Sequence, residues 1–220
     1  QDIEPPRTID AQPGETSPPT SPAEQPEAQE QPEASPGSPV QAEVTVVDLK
    51  GQPLANILPI ATANPNAWDN PIATGGPTDS EGKTRIVVPV GEWLCLRAWD
   101  PSLRYFANNY YEILPVLGDH IEPMTIIMAQ SASFELRLLR ADGQPAANET
   151  VRLVLFHPSQ GPWWPAESTS DAEGKVRFDA VPPGQFLMRL EATGGGQIDI
   201  PDVTLPPGSS VKMGDVTLQS

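Results

Sequence analysis

The chain contains 220 residues and carries a formal net charge of −16 at pH 7, and this length suits two domains of about a hundred residues each. Thirteen basic residues against 29 acidic ones exclude a nucleic-acid partner, because binding to phosphates needs clustered Lys and Arg. The one cysteine, Cys95, cannot form an internal disulfide, and no apolar run is long enough to predict a membrane span.

Residues 1–40 are rich in proline and acidic residues and contain no aromatic residue. Such a segment has too little apolar surface to offset the entropy of ordering, so we predict a disordered acidic linker. A start at Gln1 rather than Met, followed by a spacer of this composition, favours export. We therefore expect a bacterial protein that is secreted, periplasmic or located in the cell envelope, after removal of a signal peptide.

After residue 40 the sequence changes to short runs of alternating apolar residues separated by Gly, Pro, Asn and Asp, a pattern typical of all-β domains. A first strand is predicted around Val44 and Val46, and further strands over 56–63, 84–88 and 92–99. The last of these runs is apolar on both faces, which predicts a central strand whose faces are both at least partly covered. Cys95 lies in this strand and is interpreted as a small core residue rather than a nucleophile.

The chain repeats itself at an offset of 92 residues. Gly51-Gln52-Pro53 recurs as Gly143-Gln144-Pro145, and Asp79-Ser80-Glu81-Gly82-Lys83 recurs as Asp171-Ala172-Glu173-Gly174-Lys175. A period of this length corresponds to a whole domain rather than to a solenoid unit. The sequence thus predicts two duplicated domains, at 41–129 and 130–220. Gly82 and Gly174 are expected to take the left-handed conformation in equivalent turns.

The shared order of strands and turns resembles the carboxypeptidase regulatory-like domains, which have a transthyretin-like (prealbumin) fold, and Cna B-type repeats are similar. The resemblance rests on residues 51–56, 78–83 and 89–96 of the first repeat, and on 143–148, 170–175 and 182–190 of the second. It implies two tandem Greek-key β-sandwiches. It also implies a non-catalytic accessory, spacer or adhesive role, because such domains seldom carry chemistry of their own.

Several chemical sites can be weighed against this resemblance. The acidic turn at 171–175 offers only two carboxylates beside a lysine, so a structural turn is preferred to a calcium loop. His120 and His157, with the three tyrosines, invite comparison with intradiol dioxygenases, but no His-x-His pair exists and the histidines belong to different repeats. The terminal motif of the urate-pathway hydrolases is absent too. We predict no catalytic residue, metal or cofactor.

The most conspicuous candidate binding residues are Trp163 and Trp164, in a proline-flanked segment predicted to be a loop. Exposed indoles are costly unless something covers them, and three coverings remain open: packing within the chain, a partner protein, or a sugar ring. Trp68 lies in the corresponding loop of the first repeat. The segment 104–111 has no equally aromatic counterpart in the second repeat, and it is interpreted either as a core-capping loop or as an interface.

The sequence therefore predicts a non-catalytic, extracytoplasmic structural or protein-interaction module, with a protein or cell-surface partner. The alternative is a carbohydrate-binding accessory module, with a polysaccharide as partner. The candidate binding residues are Trp163, Trp164, Trp68, Tyr105, Tyr110 and Tyr111.

Overall fold

The structure of the protein is a computed structural model that describes residues 38–65, 70–107, 109–116, 121–158 and 161–219. These ranges contain fifteen strands and no helix, and so no helix there could cross a membrane. The strands are, in chain order, β1 (Val40–Asp48), β2 (Leu58–Thr62), β3 (Ala73–Thr74), β4 (Lys83–Val88), β5 (Leu94–Trp99), β6 (Tyr105–Phe106), β7 (Tyr111–Ile113), β8 (Ile121–Gln130), β9 (Ala132–Leu139), β10 (Thr150–His157), β11 (Gly161–Thr169), β12 (Lys175–Val181), β13 (Gly184–Ala192), β14 (Gln197–Leu205) and β15 (Ser210–Thr217). The predicted all-β fold is confirmed.

The strands of the two repeats pair in the same order. In the second repeat, one sheet has the order β11-β10-β13-β14 and the other has the order β12-β9-β15. The first repeat contains the equivalent rows, β3-β2-β5-β7 and β4-β1-β8. In both three-stranded rows, the strand that comes first in the chain lies in the middle and pairs in parallel with the strand that comes last. These pairs are β1 with β8 and β9 with β15. Strand β6 has no counterpart among the strands of the second repeat, and it joins the two rows of the first by pairing with both β5 and β8.

Each repeat encloses its own hydrophobic core between its rows of strands. The first core consists of buried apolar side chains from β1, β2, β4, β5, β7 and β8, and the second core is built from β9, β10, β12, β13 and β14. Buried and exposed residues alternate along β1 and β10, because successive side chains of a strand point to opposite faces and only one face lies against the core. The packing therefore follows the period-two pattern of the sequence.

Equivalent hydrogen bonds stabilise each of the two repeats internally. Thr78 Oγ1 donates to the carbonyl oxygen of Leu54 over 2.6 Å and accepts from the amide of Ile57 over 2.9 Å. Ser170 Oγ makes the corresponding pair of bonds in the second repeat, at 2.6 and 3.0 Å. Both hydroxyls are buried, so these bonds satisfy polar groups that water cannot reach.

The acidic turns are closed by their own aspartates. Asp79 Oδ1 accepts from the amides of Glu81 and Lys83 over 2.8 and 2.9 Å, and Asp171 Oδ1 repeats this pattern at 3.0 and 2.8 Å. A side-chain oxygen that accepts backbone amides two and four residues onward organises a tight turn. This geometry supports the interpretation of these segments as structural turns.

The observed boundaries differ slightly from the predicted ones. Strand β1 begins at Val40, the last residue assigned to the linker, and Val40 is buried in the first core. Residues 1–37 lie outside the described part of the chain, so their predicted disorder stays a prediction. Only Ser131 separates β8 from β9, close to the predicted domain boundary.

Prolines occupy edge strands of the second repeat. Pro162 and Pro165 lie in β11, and Pro201 lies in β14 beside a bulge. Because proline has no amide hydrogen, it prevents a further strand from completing a ladder at that position. These edges therefore disfavour association by strand pairing.

Candidate binding surfaces

The segment between β5 and β7 is the main difference between the repeats. Eleven residues, 100–110, connect β5 to β7, whereas four residues, 193–196, connect β13 to β14. The extra length begins with Asp100, a buried carboxylate that accepts from the amides of Ser102 and Arg104 over 2.9 and 3.1 Å and from Arg104 Nε over 3.2 Å. Asp100 thus fixes the start of a connection that is longer than its counterpart in the second repeat.

This connection brings side chains of the first repeat to the second core. Phe106 is 2% exposed and belongs to the second core, although its backbone pairs with β5 and β8 of the first repeat. Trp99 and Leu103 pack against the same core. We call the contact of these three residues with the second core the junction. Backbone bonds reinforce it, since the Ser131 amide donates to the Arg104 carbonyl over 2.8 Å.

A buried cation lies beside the junction. Arg97 in β5 is 1% exposed, and its guanidinium carbon lies 5.2 Å from the centre of the Tyr110 ring. Burial lowers the pKa of Arg97 to about 10, against opposing effects of Cys95 and Tyr110. A guanidinium over an aromatic face is stabilised by the ring quadrupole, an attraction that strengthens away from water.

His157, at the end of β10 in the second repeat, lies close enough to Arg97 to be affected by its charge. Burial lowers the pKa of His157, and the positive charge of Arg97 lowers it further. The imidazole also meets the ring of Phe186 edge-on, with 6.1 Å between the ring centres. His157 thus packs on Phe186 within the second repeat, and its pKa responds to a cation of the first repeat.

The three predicted tyrosines have different surroundings within the first repeat. Tyr105 lies in β6, packs against the first core and has the Arg104 guanidinium 5.9 Å from its ring centre. Tyr110 lies under Arg97, whereas the Tyr111 hydroxyl donates to the Thr125 carbonyl oxygen over 2.6 Å. Each ring has a different partner within the chain, and Tyr111 is 42% exposed. The core-capping loop and the interface both stay predictions.

The predicted tryptophan loop is in fact a strand. The backbones of Trp163 and Trp164 lie within β11, where Trp164 pairs with Leu155, so the predicted loop position is wrong. Strand pairing continues through this proline-rich segment because an edge strand tolerates proline on its unpaired side. The side chains of Trp163 and Trp164, and the whole of Trp68 and His120, lie outside what the structure describes.

The sequence interpretation missed an exposed tryptophan just before β5. Trp93 is 65% exposed, whereas this part of the chain was predicted to be covered on both faces. It borders an open cleft of about 270 Å³, the Trp93 cleft, which is lined by Ala63, Asn64, Pro65, Trp93, Leu94, Cys95 and Glu112. The turn signal at Pro89 and Gly91 could have indicated the position of Trp93, because a residue beside a turn lies at the end of the sheet.

Comparisons with known proteins find only distant likenesses. No protein-family model and no curated protein matches the chain. Matching solved structures include the Bacillus anthracis TIE protein (15% identity, TM-score 0.34), the Streptococcal ancillary pilin (13%, 0.39) and GBS52, the minor pilin of Streptococcus agalactiae (12%, 0.41). They cover 83%, 80% and 82% of this chain, which spans 34%, 62% and 97% of theirs.

The chain thus spans about a third of the TIE protein and less than two thirds of the ancillary pilin. At these identities and TM-scores the assignment of the fold rests on the strand pairing described above. The resemblance to carboxypeptidase regulatory-like and transthyretin-like domains is confirmed by no family model, and it stays a prediction.

Proposed function

We propose that this chain is a non-catalytic structural or protein-interaction module that works outside the cytoplasm. In this proposal, residues 41–129 and 130–220 are two β-sandwich domains held at a fixed relative orientation, and the segment before them is a linker. The observation that carries the proposal is the junction, in which Phe106 of the first repeat is buried in the core of the second.

The junction supports a stiff unit for two physical reasons. A flexible pair of domains meets through a small and polar surface, so that the domains move relative to one another. Here an aromatic ring is shared with the neighbouring core, and the residues from 38 onward that are described belong to one compact unit. Rotation of one sandwich relative to the other would expose Phe106 to water, and exposing a fully buried Phe side chain costs about 1.5–3 kcal/mol.

The polar groups in the matching turns of the two repeats support a structural role rather than chemistry. The Asp79 and Asp171 carboxylates bind backbone groups of their own turns. The Thr78 and Ser170 hydroxyls bind backbone groups of the connection that follows the first strand of each repeat. A nucleophile or general base has to be able to reach a substrate. These side chains are instead committed to maintaining the connections between strands, which is what a spacer needs.

The location can be tested by protease accessibility in the native bacterium. The full chain, carrying an epitope tag, should be cleaved by an added protease in cells whose envelope, but not cytoplasmic membrane, is permeable. A cytoplasmic marker protein is the control and should stay intact. Protection of the chain until the cytoplasmic membrane is lysed would contradict the proposal.

The interaction role needs a second measurement on the same cells. Chemical crosslinking should join the full chain to a defined envelope protein, and the Phe106→Ala variant should give fewer crosslinks because the two domains no longer keep one orientation. A crosslinking pattern identical in the variant would argue against a role for the fixed orientation.

A further inference from the structure

We propose that the Trp93 cleft binds an uncharged sugar ring. This site is separate from the junction and from the candidate residues considered above, and its existence does not depend on the proposed structural role.

The register of the strands places Cys95 and Glu112 of the cleft on one face of the sheet. Cys95 in β5 pairs with Thr62 on one side and with Glu112 on the other. Directly paired residues point to the same face, as do residues two positions apart along a strand. Trp93 directly precedes β5 and Asn64 lies two residues beyond β2, and both line the same cleft as Glu112.

The floor of the cleft is fixed by the first core. Leu94 and Cys95, which line the cleft, are buried, at 1% and 7% exposure. Strand β5 is held between β2 and β7 at this point. A site whose floor is a paired strand loses little conformational freedom on binding, and this favours affinity for a small ligand.

The chemistry of the lining favours a ring with one apolar face and hydroxyl groups at its edge. The indole of Trp93 offers a flat apolar surface, which the carbon–hydrogen face of a pyranose can cover. The Glu112 carboxylate is exposed and accepts hydrogen bonds from hydroxyl groups. Such a combination of an aromatic surface with a few polar groups is typical of small-ligand sites.

Charge and size narrow the class of ligand. Among the described residues that line the cleft, the charged one is Glu112. The charge of Arg97 reaches Cys95, but Arg97 is 1% exposed and offers a ligand almost no surface. Repulsion from Glu112 and from a chain of net charge −16 therefore disfavours phosphorylated and acidic sugars. A cleft of about 270 Å³ is below the usual range for drug-sized ligands. It suits one sugar ring at a time rather than a helix or strand of a partner protein.

The test is titration calorimetry of the full chain with four oligosaccharide probes. Cellohexaose and chitohexaose are neutral, the hexamer of glucosamine is cationic and oligogalacturonate is anionic. At least one neutral probe should bind, and Trp93→Ala should weaken this binding by about tenfold or more, the scale for loss of a central aromatic contact. Glu112→Ala should weaken it by a smaller factor, and Trp93→Phe should retain part of it.

Leu49→Ala is the matched control, because Leu49 is also a highly exposed apolar residue, at 62%, and does not line the cleft. It should leave binding unchanged. The melting temperature of each variant shows whether weaker binding reflects a lost contact or lost folding. If Trp93→Ala has a lowered melting temperature, the sugar affinities of Trp93→Phe and Glu112→Ala are compared with that of the unchanged chain instead.

Three outcomes would overturn the proposal: no neutral probe binds, binding survives in Trp93→Ala, or only the cationic hexamer binds, which would identify an ammonium site. Loss of a crosslinked protein partner in Trp93→Ala, without any sugar binding, would make the cleft a protein-docking surface instead. None of these results bears on the orientation of the two sandwiches, so failure here is distinguishable from failure of the proposed structural role.

Discussion

Replacement of Gly82 by alanine tests the turn geometry most sharply. Gly82 has a φ angle of 74°, and a Cβ atom there would lie 2.4 Å from the carbonyl oxygen of Val46 and 3.1 Å from the Cβ of Pro53. The turn cannot simply move away, because the Val46 amide donates to the Gly82 carbonyl over 2.7 Å. The left-handed conformation costs an alanine about 1–2 kcal/mol, and relieving the contact costs roughly 1–3 kcal/mol more.

Gly51 is the matched control for this substitution. Its φ angle is 77°, but no atom lies within 4 Å of a Cβ built on it. Gly51→Ala should therefore cost only the conformational part, about 1–2 kcal/mol. The second repeat offers the same pair. A Cβ atom at Gly174 would lie 2.5 Å from the Leu138 carbonyl oxygen, whereas a Cβ atom at Gly143 would have no atom within 4 Å. Urea denaturation of the four variants measures the differences, and the argument is refuted if Gly82→Ala costs no more than Gly51→Ala.

Three further predictions follow from the junction and the turns. Phe106→Ala should lower the free energy of unfolding by about 3–5 kcal/mol, and amide exchange should show the loss in the second core, although the residue lies in the first repeat. His157→Gln should reduce the loss of stability on acidification. Burial lowers the pKa of folded His157 below its ordinary value of 6.5, so the unfolded chain binds the proton first, and stability falls as the pH drops from that value to the folded pKa; urea titrations at several pH values check this. Thr78→Val and Ser170→Ala should each cost roughly 1–3 kcal/mol, because each leaves a buried carbonyl and amide without the hydroxyl, and equal costs in thermal melts would support the equivalence of the repeats.

The duplication could be predicted from the sequence because turns need particular residues at particular places. Gly82 and Gly174 both have positive φ angles, as expected from the matching turn sequences. Asn56 and Asn148, another matched pair, also take positive φ angles, at 65° and 57°. Backbone conformations of this kind require particular residue types. The matching turn residues therefore made it possible to predict equivalent strand orders in the two repeats.

The junction could not be predicted in the same way. Nothing in the alternation of residues 104–111 indicates that Phe106 is buried in the other repeat, because periodicity reports that a face is covered and not what covers it. The exposure of Trp93 was missed for a related reason. It continues the apolar run of β5, but it lies at the end of the sheet, where neighbouring strands no longer cover it.

Proline-rich segments limited the prediction of strand positions in a different way. Val40 was assigned to the linker, yet it is buried at the start of β1, because the proline before it obscures where the strand begins. For Trp163 and Trp164, the flanking prolines indicated a loop, but an edge strand accommodates prolines as well. Composition alone does not distinguish these two environments.

The fixed orientation of the two sandwiches is the central claim, and a distance distribution between spin labels tests it directly. Labels at Leu49→Cys and Ala141→Cys, equivalent exposed turn positions of the two repeats, would be measured by double electron–electron resonance in a Cys95→Ala background. The account predicts one narrow distribution in this protein and a broadened one when Phe106→Ala is added. A broad distribution before that change, or a narrow one that persists after it, would contradict the account.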